Sequence, residues 1–239
     1  MCGLAVVYAP SCGGDLRHHA MKNMLEAMAH RGPDGQGEFV SRHGVHFGHV
    51  RLAIQDPQHG AQPVTSGRGD CLVFNGEVYN FPELRAELEQ EGESFAETGD
   101  TEVVARALQH WGESAVDRFN GDFAIVWAPG DDSSMTLIRD RFGVKPLYYW
   151  SDDTTRTFVA ASEPKAIIVA LEQLVPGYRP RVSRDGFLDT SLYGAPVAPF
   201  SLFEDIRAVR PGHLIRVDFS GSLSLTETQY WELTVTDVV

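Results

Sequence analysis

Strand-like segments come in groups along this chain, and that grouping restricts the fold more than any other feature of the sequence. Residues 3–8, GLAVVY, form an apolar run almost at the first position. Further strand-like runs bounded by Gly, Pro or Asp lie at 45–54, 71–79, 121–127, 135–139, 147–150, 157–161, 213–218 and 223–231. Helix-like segments are grouped between the runs of strands. This pattern predicts an α+β fold with largely antiparallel sheets, and two facing sheets flanked by helices would satisfy it.

Helical spacing of apolar residues predicts four helices. In chain order they are a segment with Met21, Met24, Leu25 and Met28, a segment from Pro82 to Gly92, a segment capped by Thr101 that ends at Gly112, and residues 164–171. The first should end near Gly32-Pro33. Residues 172–200 contain several prolines and are predicted to form a long loop.

Charge and composition exclude several classes of function. The chain has 239 residues and a formal net charge of −13 at pH 7, which argues against nucleic-acid backbones and anionic membranes as partners. No segment approaches the ~18 apolar residues of a membrane span. The N-terminus lacks the basic and apolar stretches of a secretory signal. The sequence therefore predicts a soluble cytoplasmic protein.

The cysteines and histidines show neither a disulfide framework nor a metal site. Cys2, Cys12 and Cys71 are odd in number and irregularly spaced, and no C-x-x-C occurs. The nine histidines form no ligand pair at metal-site spacing. We therefore expect reduced thiols and no bound metal.

Cys2 is the first residue whose position suggests chemistry. Removal of Met1 would leave a thiol and a free α-amine on one residue. The thiolate is the nucleophilic form of cysteine, and an α-amine has an ordinary pKa of about 7.7–8.0, so it can accept the thiol proton without a histidine. The alternative is that Cys2 is a small buried apolar residue at the start of a strand. The N-terminus alone leaves both interpretations open.

A series of motifs follows Cys2 in a fixed order. They are HRGPDG (30–35), RLAIQD (51–56), AQPV (61–64), NGEVYN (75–80), TGDTE (98–102), RDRFGVKPLYY (139–149), ASEPKAI (161–167) and PGHLIRVD (211–218). With the N-terminal Cys-Gly, this series resembles the glutaminase domain of class II glutamine amidotransferases, in the glutamine-dependent asparagine-synthetase branch. The resemblance covers residues 2 to about 233, so we expect a glutaminase domain over 1–233 and a linker or tail from 234 to 239. It implies a four-layer αββα sandwich of the N-terminal nucleophile hydrolase type.

The resemblance assigns catalytic roles to three residues. It implies that Cys2 is the nucleophile, and that the side-chain amide of Asn75 and the backbone N–H of Gly76 form the oxyanion hole. By pattern alone, Asn-Gly between two apolar runs predicts a type I′ hairpin turn. Both interpretations would hold if the turn lay over Cys2.

Five further residues are implied to bind glutamine. A guanidinium binds a carboxylate through two hydrogen bonds, which suits Arg51 for the substrate carboxylate. Glu77 and Asp100 would accept hydrogen bonds from the substrate ammonium, and the carbonyls of Leu52 and Ile54 would contact the substrate by family analogy. The alternatives are a surface arginine at Arg51 and a helix N-cap at Asp100.

Three other positions bear on the site. Gln55 departs from the family, which commonly has a small apolar residue there. Arg31 lies in a loop that is close to the nucleophile in the family, and it is interpreted as shaping the site. Lys145, in RDRFGVKPLYY, is interpreted as structural.

The motif of a pyrophosphate-binding synthetase is missing. No Ser-Gly-Gly-x-Asp-Ser stretch and no Walker-type loop occurs in the sequence. We therefore expect a domain that needs no cofactor and makes ammonia for a synthetase domain or subunit, where ATP and Mg²⁺ would bind. A homodimer remains open. The rival functions are an N-terminal nucleophile hydrolase acting on another amide, and a non-catalytic interaction module.

Overall fold

A computed structural model describes residues 1–54, 59–130 and 133–234. Within these residues the chain forms twelve strands: β1 (Gly3–Tyr8), β2 (Gly35–Val40), β3 (His46–Arg51), β4 (Val64–Thr65), β5 (Cys71–Val78), β6 (Gly121–Ala128), β7 (Ser134–Arg139), β8 (Tyr148–Asp152), β9 (Thr157–Ala161), β10 (Arg207–Ala208), β11 (His213–Asp218) and β12 (Ser224–Gln229). The α-helices are α1 (Gly14–Ala27), α2 (Phe81–Gln90), α3 (Asp100–Trp111), α4 (Pro164–Leu174) and α5 (Arg184–Tyr193), and short 3-10 helices follow α1 and α3. Gln55 and residues 235–239 of the expected tail lie outside the described residues.

The strands build two six-stranded sheets. The first has the order β10-β8-β9-β1-β3-β2 and the second β12-β11-β7-β6-β5-β4. The pairs within both sheets are antiparallel. The prediction of grouped antiparallel strands is therefore confirmed.

Three apolar clusters separate four layers. Alternate residues of β1, such as Leu4 and Val6, pack with Val73 and Val126 of the second sheet in the cluster between the sheets. The opposite face of the first sheet packs against α1 and α4. The opposite face of the second sheet packs against α2 and α3. The order of layers is helix, sheet, sheet, helix, which confirms the expected αββα sandwich.

Two local predictions at helices were wrong. Helix α3 begins at Asp100, with Gly99 as its N-cap, so neither Thr101 nor Asp100 caps it. Residues 172–200 contain the end of α4 and the whole of α5, whose N-cap Ser183 accepts a hydrogen bond from the Gly186 N–H at 3.1 Å. Helix α5 was missed because it is largely exposed and therefore has no apolar periodicity.

The predicted turn at Asn75-Gly76 was also wrong. Both residues lie inside β5, paired with Ala124 and Phe123 of β6. Gly76 has a φ of 150°, and a Cβ there would lie 2.0 Å from the carbonyl oxygen of Asp122. Glycine is required by this close approach within a strand, and a turn plays no part in it.

Among the helices that the structure describes, none is both long and apolar enough to cross a bilayer. In the same part of the chain, no group of three or more His, Cys, Asp or Glu side chains is placed to hold a metal ion.

Candidate active site

One pocket lies where β1 begins, β3 ends and β5 approaches them from the other sheet. The eight residues assigned to the site from the sequence all line this pocket: Cys2, Arg51, Leu52, Ile54, Asn75, Gly76, Glu77 and Asp100. The first four belong to the first sheet or its extensions, and Asn75, Gly76 and Glu77 belong to the second. The pocket therefore forms across the interface between the two sheets.

The thiol of Cys2 is held at the pocket wall. The Leu52 N–H donates to its Sγ at 3.3 Å, and the Leu52 carbonyl oxygen lies 3.6 Å from the same sulfur. Behind it, the buried Arg31 donates from Nε to the Cys2 carbonyl oxygen at 2.9 Å. Arg31 is itself paired with Glu163 at 2.9 Å. These contacts fix the backbone and the sulfur of Cys2 relative to β3.

Beyond Leu72, β5 presents an open edge toward the pocket. Strand β4 pairs only with Cys71 and Leu72. Further along this edge, the Phe74 N–H donates to the side chain of Gln62 at 2.6 Å and the Val78 N–H donates to Asp100 Oδ2 at 3.0 Å. Because backbone N–H groups alternate sides along a strand, the Gly76 N–H faces the same edge.

The other edge of β5 supports this orientation. Phe123, which lies opposite Gly76, directs its own backbone groups to the far side: its carbonyl oxygen accepts the Asp140 N–H at 2.9 Å, and its N–H donates to Asp140 Oδ2 at 3.2 Å. The Gly76 N–H is therefore a backbone donor on the pocket side of β5.

Asn75 contributes a second donor beside the first. Its side chain is 1% exposed. Within the described residues, no acceptor pairs with its Nδ2 atom. A buried polar group without a partner typically costs about 1–3 kcal/mol, so such a group suggests a partner that binds later.

Charged side chains of both signs line the pocket. Arg51, at the end of β3, supplies a cation whose Nη2 donates to the His59 carbonyl oxygen. Glu77 and Asp100 supply carboxylates. Asp100 is 5% exposed, and burial raises its pKa to about 6, with the negative charge of Glu77 adding to the effect. Hydrogen bonds from the Val78 N–H and other donors act in the opposite direction.

Several lining residues were not assigned to catalysis or substrate binding from the sequence. Lys145, interpreted as structural, also lines the pocket, on a loop where Asp140 accepts the N–H groups of Val144 and Lys145. Gln62 lies in the AQPV motif, which was the available signal for it. Met1 lines the pocket as well. While Met1 is present, the nitrogen of Cys2 is part of a peptide bond and is not a free α-amine.

Comparison with solved structures shows which known proteins share this fold. Glutamine phosphoribosylpyrophosphate amidotransferase from B. subtilis superposes with a TM-score of 0.68, covering 96% of this chain and 49% of that chain at 18% identity. A structure described as the allosteric regulatory enzyme of purine biosynthesis gives a TM-score of 0.69 at 19% identity, with the same coverage. At these identities the likeness shows the fold alone, and it agrees with the expected αββα sandwich.

Sequence comparison then identifies the family. A family model described as a glutamine amidotransferase domain matches residues 1–231, and the chain belongs to that family. It is 35% identical over 221 residues to asparagine synthetase [glutamine-hydrolyzing] 3 of Bacillus subtilis, covering 89% of this chain and 34% of that protein. It is 32% identical to asparagine synthetase [glutamine-hydrolyzing] 1 of the same organism, covering 94% of this chain and 34% of that protein. The expected asparagine-synthetase-type class II domain is thus confirmed, and the chain spans about a third of the length of these relatives.

Proposed function

We propose that this chain hydrolyses glutamine to glutamate and ammonia with the Cys2 thiol as the nucleophile. One observation carries the proposal: a cysteine sulfur and two hydrogen-bond donors, Asn75 Nδ2 and the Gly76 N–H, line the same pocket from opposite sheets. Donors of this kind stabilise the oxyanion that forms when a nucleophile attacks an amide.

The charges of the pocket suit an amino-acid substrate. Arg51 binds the α-carboxylate, and Glu77 and Asp100 accept hydrogen bonds from the α-ammonium. The carbonyls of Leu52 and Ile54 accept further hydrogen bonds along the substrate. With both charged groups of the α-carbon held in this way, the side-chain amide at the other end of glutamine reaches Cys2. A simple acyl amide lacks the two charged groups that this arrangement requires.

The chemistry proceeds in two stages once Met1 has been removed. The α-amine of Cys2 takes the thiol proton, the sulfur bonds to the amide carbon, and the carbonyl electron pair moves to the oxygen, which Asn75 and Gly76 hold. When the intermediate collapses, the C–N bond breaks and the α-ammonium returns the proton to the departing ammonia. Water, deprotonated by the same amine, then attacks the thioester, which releases glutamate and restores the thiol.

The ammonia requires an acceptor. The relatives at 35% and 32% identity are named glutamine-hydrolysing asparagine synthetases. This chain covers about a third of the length of each. We further propose that the ammonia passes to an amide-forming synthetase domain or subunit in the cytoplasm, which would supply the ATP and Mg²⁺ chemistry.

The function is tested by measuring glutamate release from glutamine, alone and with an acceptor domain, beside ammonia release from simple acyl amides. Glutamine hydrolysis that exceeds acyl-amide hydrolysis by orders of magnitude is the expected result. Equal rates on both substrates would show an amidase of another specificity. No hydrolysis by a chain that lacks Met1 and is supplied with an acceptor domain would show a non-catalytic module.

The raised pKa of Asp100 leads to a pH-dependent affinity. Its carboxylate is ionised above about pH 6 and becomes protonated below it, so the substrate ammonium loses an acceptor as the pH falls. The KM for glutamine should therefore rise through pH 6, by about tenfold at pH 5 if only the ionised form binds. Asp100→Asn should have a raised KM that no longer varies over this range. A wild-type KM that is constant between pH 5 and 7 would contradict the assignment.

A further inference from the structure

The backbone of Phe74, the residue before Asn75, is bound by side chains, because β4 pairs with β5 only as far as Leu72. Gln62 Oε1 accepts the Phe74 N–H at 2.6 Å, and Gln62 Nε2 donates to the Phe74 carbonyl oxygen at 2.9 Å. A backbone N–H can only donate and a carbonyl can only accept, so both ends of the Gln62 amide are committed. The amide replaces the pair of hydrogen bonds that a strand residue would make on this edge.

A second side chain reaches the same carbonyl from the other layer. His49 lies on β3, is 1% exposed, and places Nε2 3.2 Å from the Phe74 carbonyl oxygen. Because that oxygen only accepts, Nε2 carries the hydrogen. Burial lowers the pKa of His49 to about 4, so the ring is neutral at physiological pH. Phe74 is therefore held by two donors at its carbonyl and one acceptor at its N–H.

One support lies on the sheet that carries the nucleophile, and the other lies between β3 and β4 and packs on that sheet. His49 pairs with Leu4 of β1, two residues after Cys2. The backbone of Gln62 packs directly on β2 of the first sheet, where a Cβ on Gly37 would lie 2.1 Å from the Gln62 carbonyl oxygen. The two side chains thus connect the first sheet, which begins at Cys2, to the strand of the second sheet that carries the oxyanion donors.

The reaction requires a fixed distance between the Cys2 sulfur and the oxyanion donors. Cys2 and the donors Asn75 and Gly76 lie on different sheets, and the core between the sheets is apolar. Apolar packing is not directional, whereas hydrogen bonds are, and a misplacement of 1 Å can cost about 100-fold in rate. We propose that Gln62 and His49 are positioning residues, which act through Phe74 to hold Asn75 and Gly76 at the distance from Cys2 that oxyanion stabilisation requires. The proposal rests on the proposed glutaminase function.

Replacing Gln62 should lower turnover and leave binding intact. Gln62→Met removes both hydrogen bonds to Phe74, and we expect kcat to fall by about 10- to 100-fold, with KM for glutamine within about threefold. Alkylation of Cys2 by iodoacetamide forms no oxyanion, so Gln62→Met and the wild type should be alkylated at the same rate. Gln173→Met is the matched control: Gln173 is also half-buried and donates to the Val169 carbonyl at 3.1 Å on α4, and its loss should leave kcat unchanged.

Three further variants keep the proposal testable if Gln62→Met is poorly folded. Gln62→Glu retains an acceptor for the Phe74 N–H but places its second carboxylate oxygen against the Phe74 carbonyl oxygen. Two acceptors repel each other, so its kcat should fall at least as far as that of Gln62→Met. His49→Leu removes the other donor and should lower kcat at an unchanged KM, whereas His49→Gln keeps an N–H donor and should recover part of the loss. A rise in KM that accounts for the whole loss of kcat/KM in these variants would overturn the proposal.

A double-mutant cycle separates positioning from a general structural role. If Gln62 acts through Asn75 and Gly76, adding Gln62→Met to Asn75→Ala should lower kcat by clearly less than the roughly 10- to 100-fold expected in the wild-type background, because only the Gly76 donor is left to displace. Effects that multiply in full would show that Gln62 acts elsewhere and would overturn the proposal. A wild-type protein that hydrolyses no glutamine even with an acceptor domain, or an Asn75→Ala variant with full activity, would instead remove the glutaminase mechanism on which the proposal depends.

Discussion

A Cys2→Ala variant is expected to release no glutamate from glutamine above background, a loss of at least about 10⁴-fold in kcat, the scale on which removal of a nucleophile acts. The reason is that no other thiol reaches the pocket: of the three cysteines, Cys71 is buried between the sheets and Cys12 lies beside α4. The measurement is a coupled assay for glutamate with purified wild type and variant.

Cys12→Ala is the matched control. Cys12 is half-buried like Cys2, and its Sγ lies 3.6 Å from the Leu174 carbonyl oxygen, so the substitution removes a comparable thiol far from the pocket. It should retain wild-type turnover. Residual activity of Cys2→Ala within tenfold of wild type, or an equal loss in Cys12→Ala, would show that Cys2 is not the nucleophile.

An Asn75→Ala variant should lose about 100- to 1,000-fold in kcat, which is the typical effect of removing one oxyanion donor. Its thermal stability should change little, because the lost amide Nδ2 has no acceptor among the described residues and so contributes no hydrogen bond to the folded state. Turnover from glutamate release and the melting temperature, measured on the same preparation, test both statements.

Asn80→Ala should show the opposite pattern. The Asn80 side chain donates to the Arg118 carbonyl and accepts the Asn120 N–H, both at 2.9 Å, and it lies outside the pocket. Its loss should lower the free energy of unfolding by about 1 kcal/mol per bond and spare kcat. A loss of less than tenfold in Asn75→Ala, or the same loss of kcat in Asn80→Ala, would contradict the oxyanion assignment.

Most strands could be predicted from the sequence because strands that are buried in the core consist mainly of apolar residues. All six residues of β1 are buried, and the run GLAVVY shows this without any knowledge of the fold. The α+β class followed from the grouping of such runs. The number and order of the layers came from the family resemblance, since the pairing of β1 with β3 and β9 depends on contacts distant in sequence.

Local patterns misled where tertiary contacts set the conformation. Asn75-Gly76 has the composition of a hairpin turn, yet Gly76 is needed because β6 lies too close for a side chain. Asp100 has the position of a helix cap, yet its carboxylate accepts the Val78 N–H of a strand in another layer. In both cases the local signal was real, but its physical cause was different.

The candidate site could be named from the sequence but not assembled from it. The motifs identified Cys2, Arg51 and Asn75 through the family, and no spacing in the chain shows that they meet across two sheets. The support of Phe74 is less visible still, because Gln62 and His49 contact a backbone, which carries no residue-specific pattern.

The central claim is that Cys2 is an N-terminal nucleophile, and labelling by the glutamine-like electrophile diazo-oxo-norleucine tests it most directly. The intact mass and the peptide map of the treated protein would be measured, with Cys2→Ala in parallel. The account predicts one adduct, on Cys2, in a chain that has lost Met1, and no adduct in the variant. An adduct on Cys12 or Cys71, or an active and labelled chain that retains Met1, would contradict it.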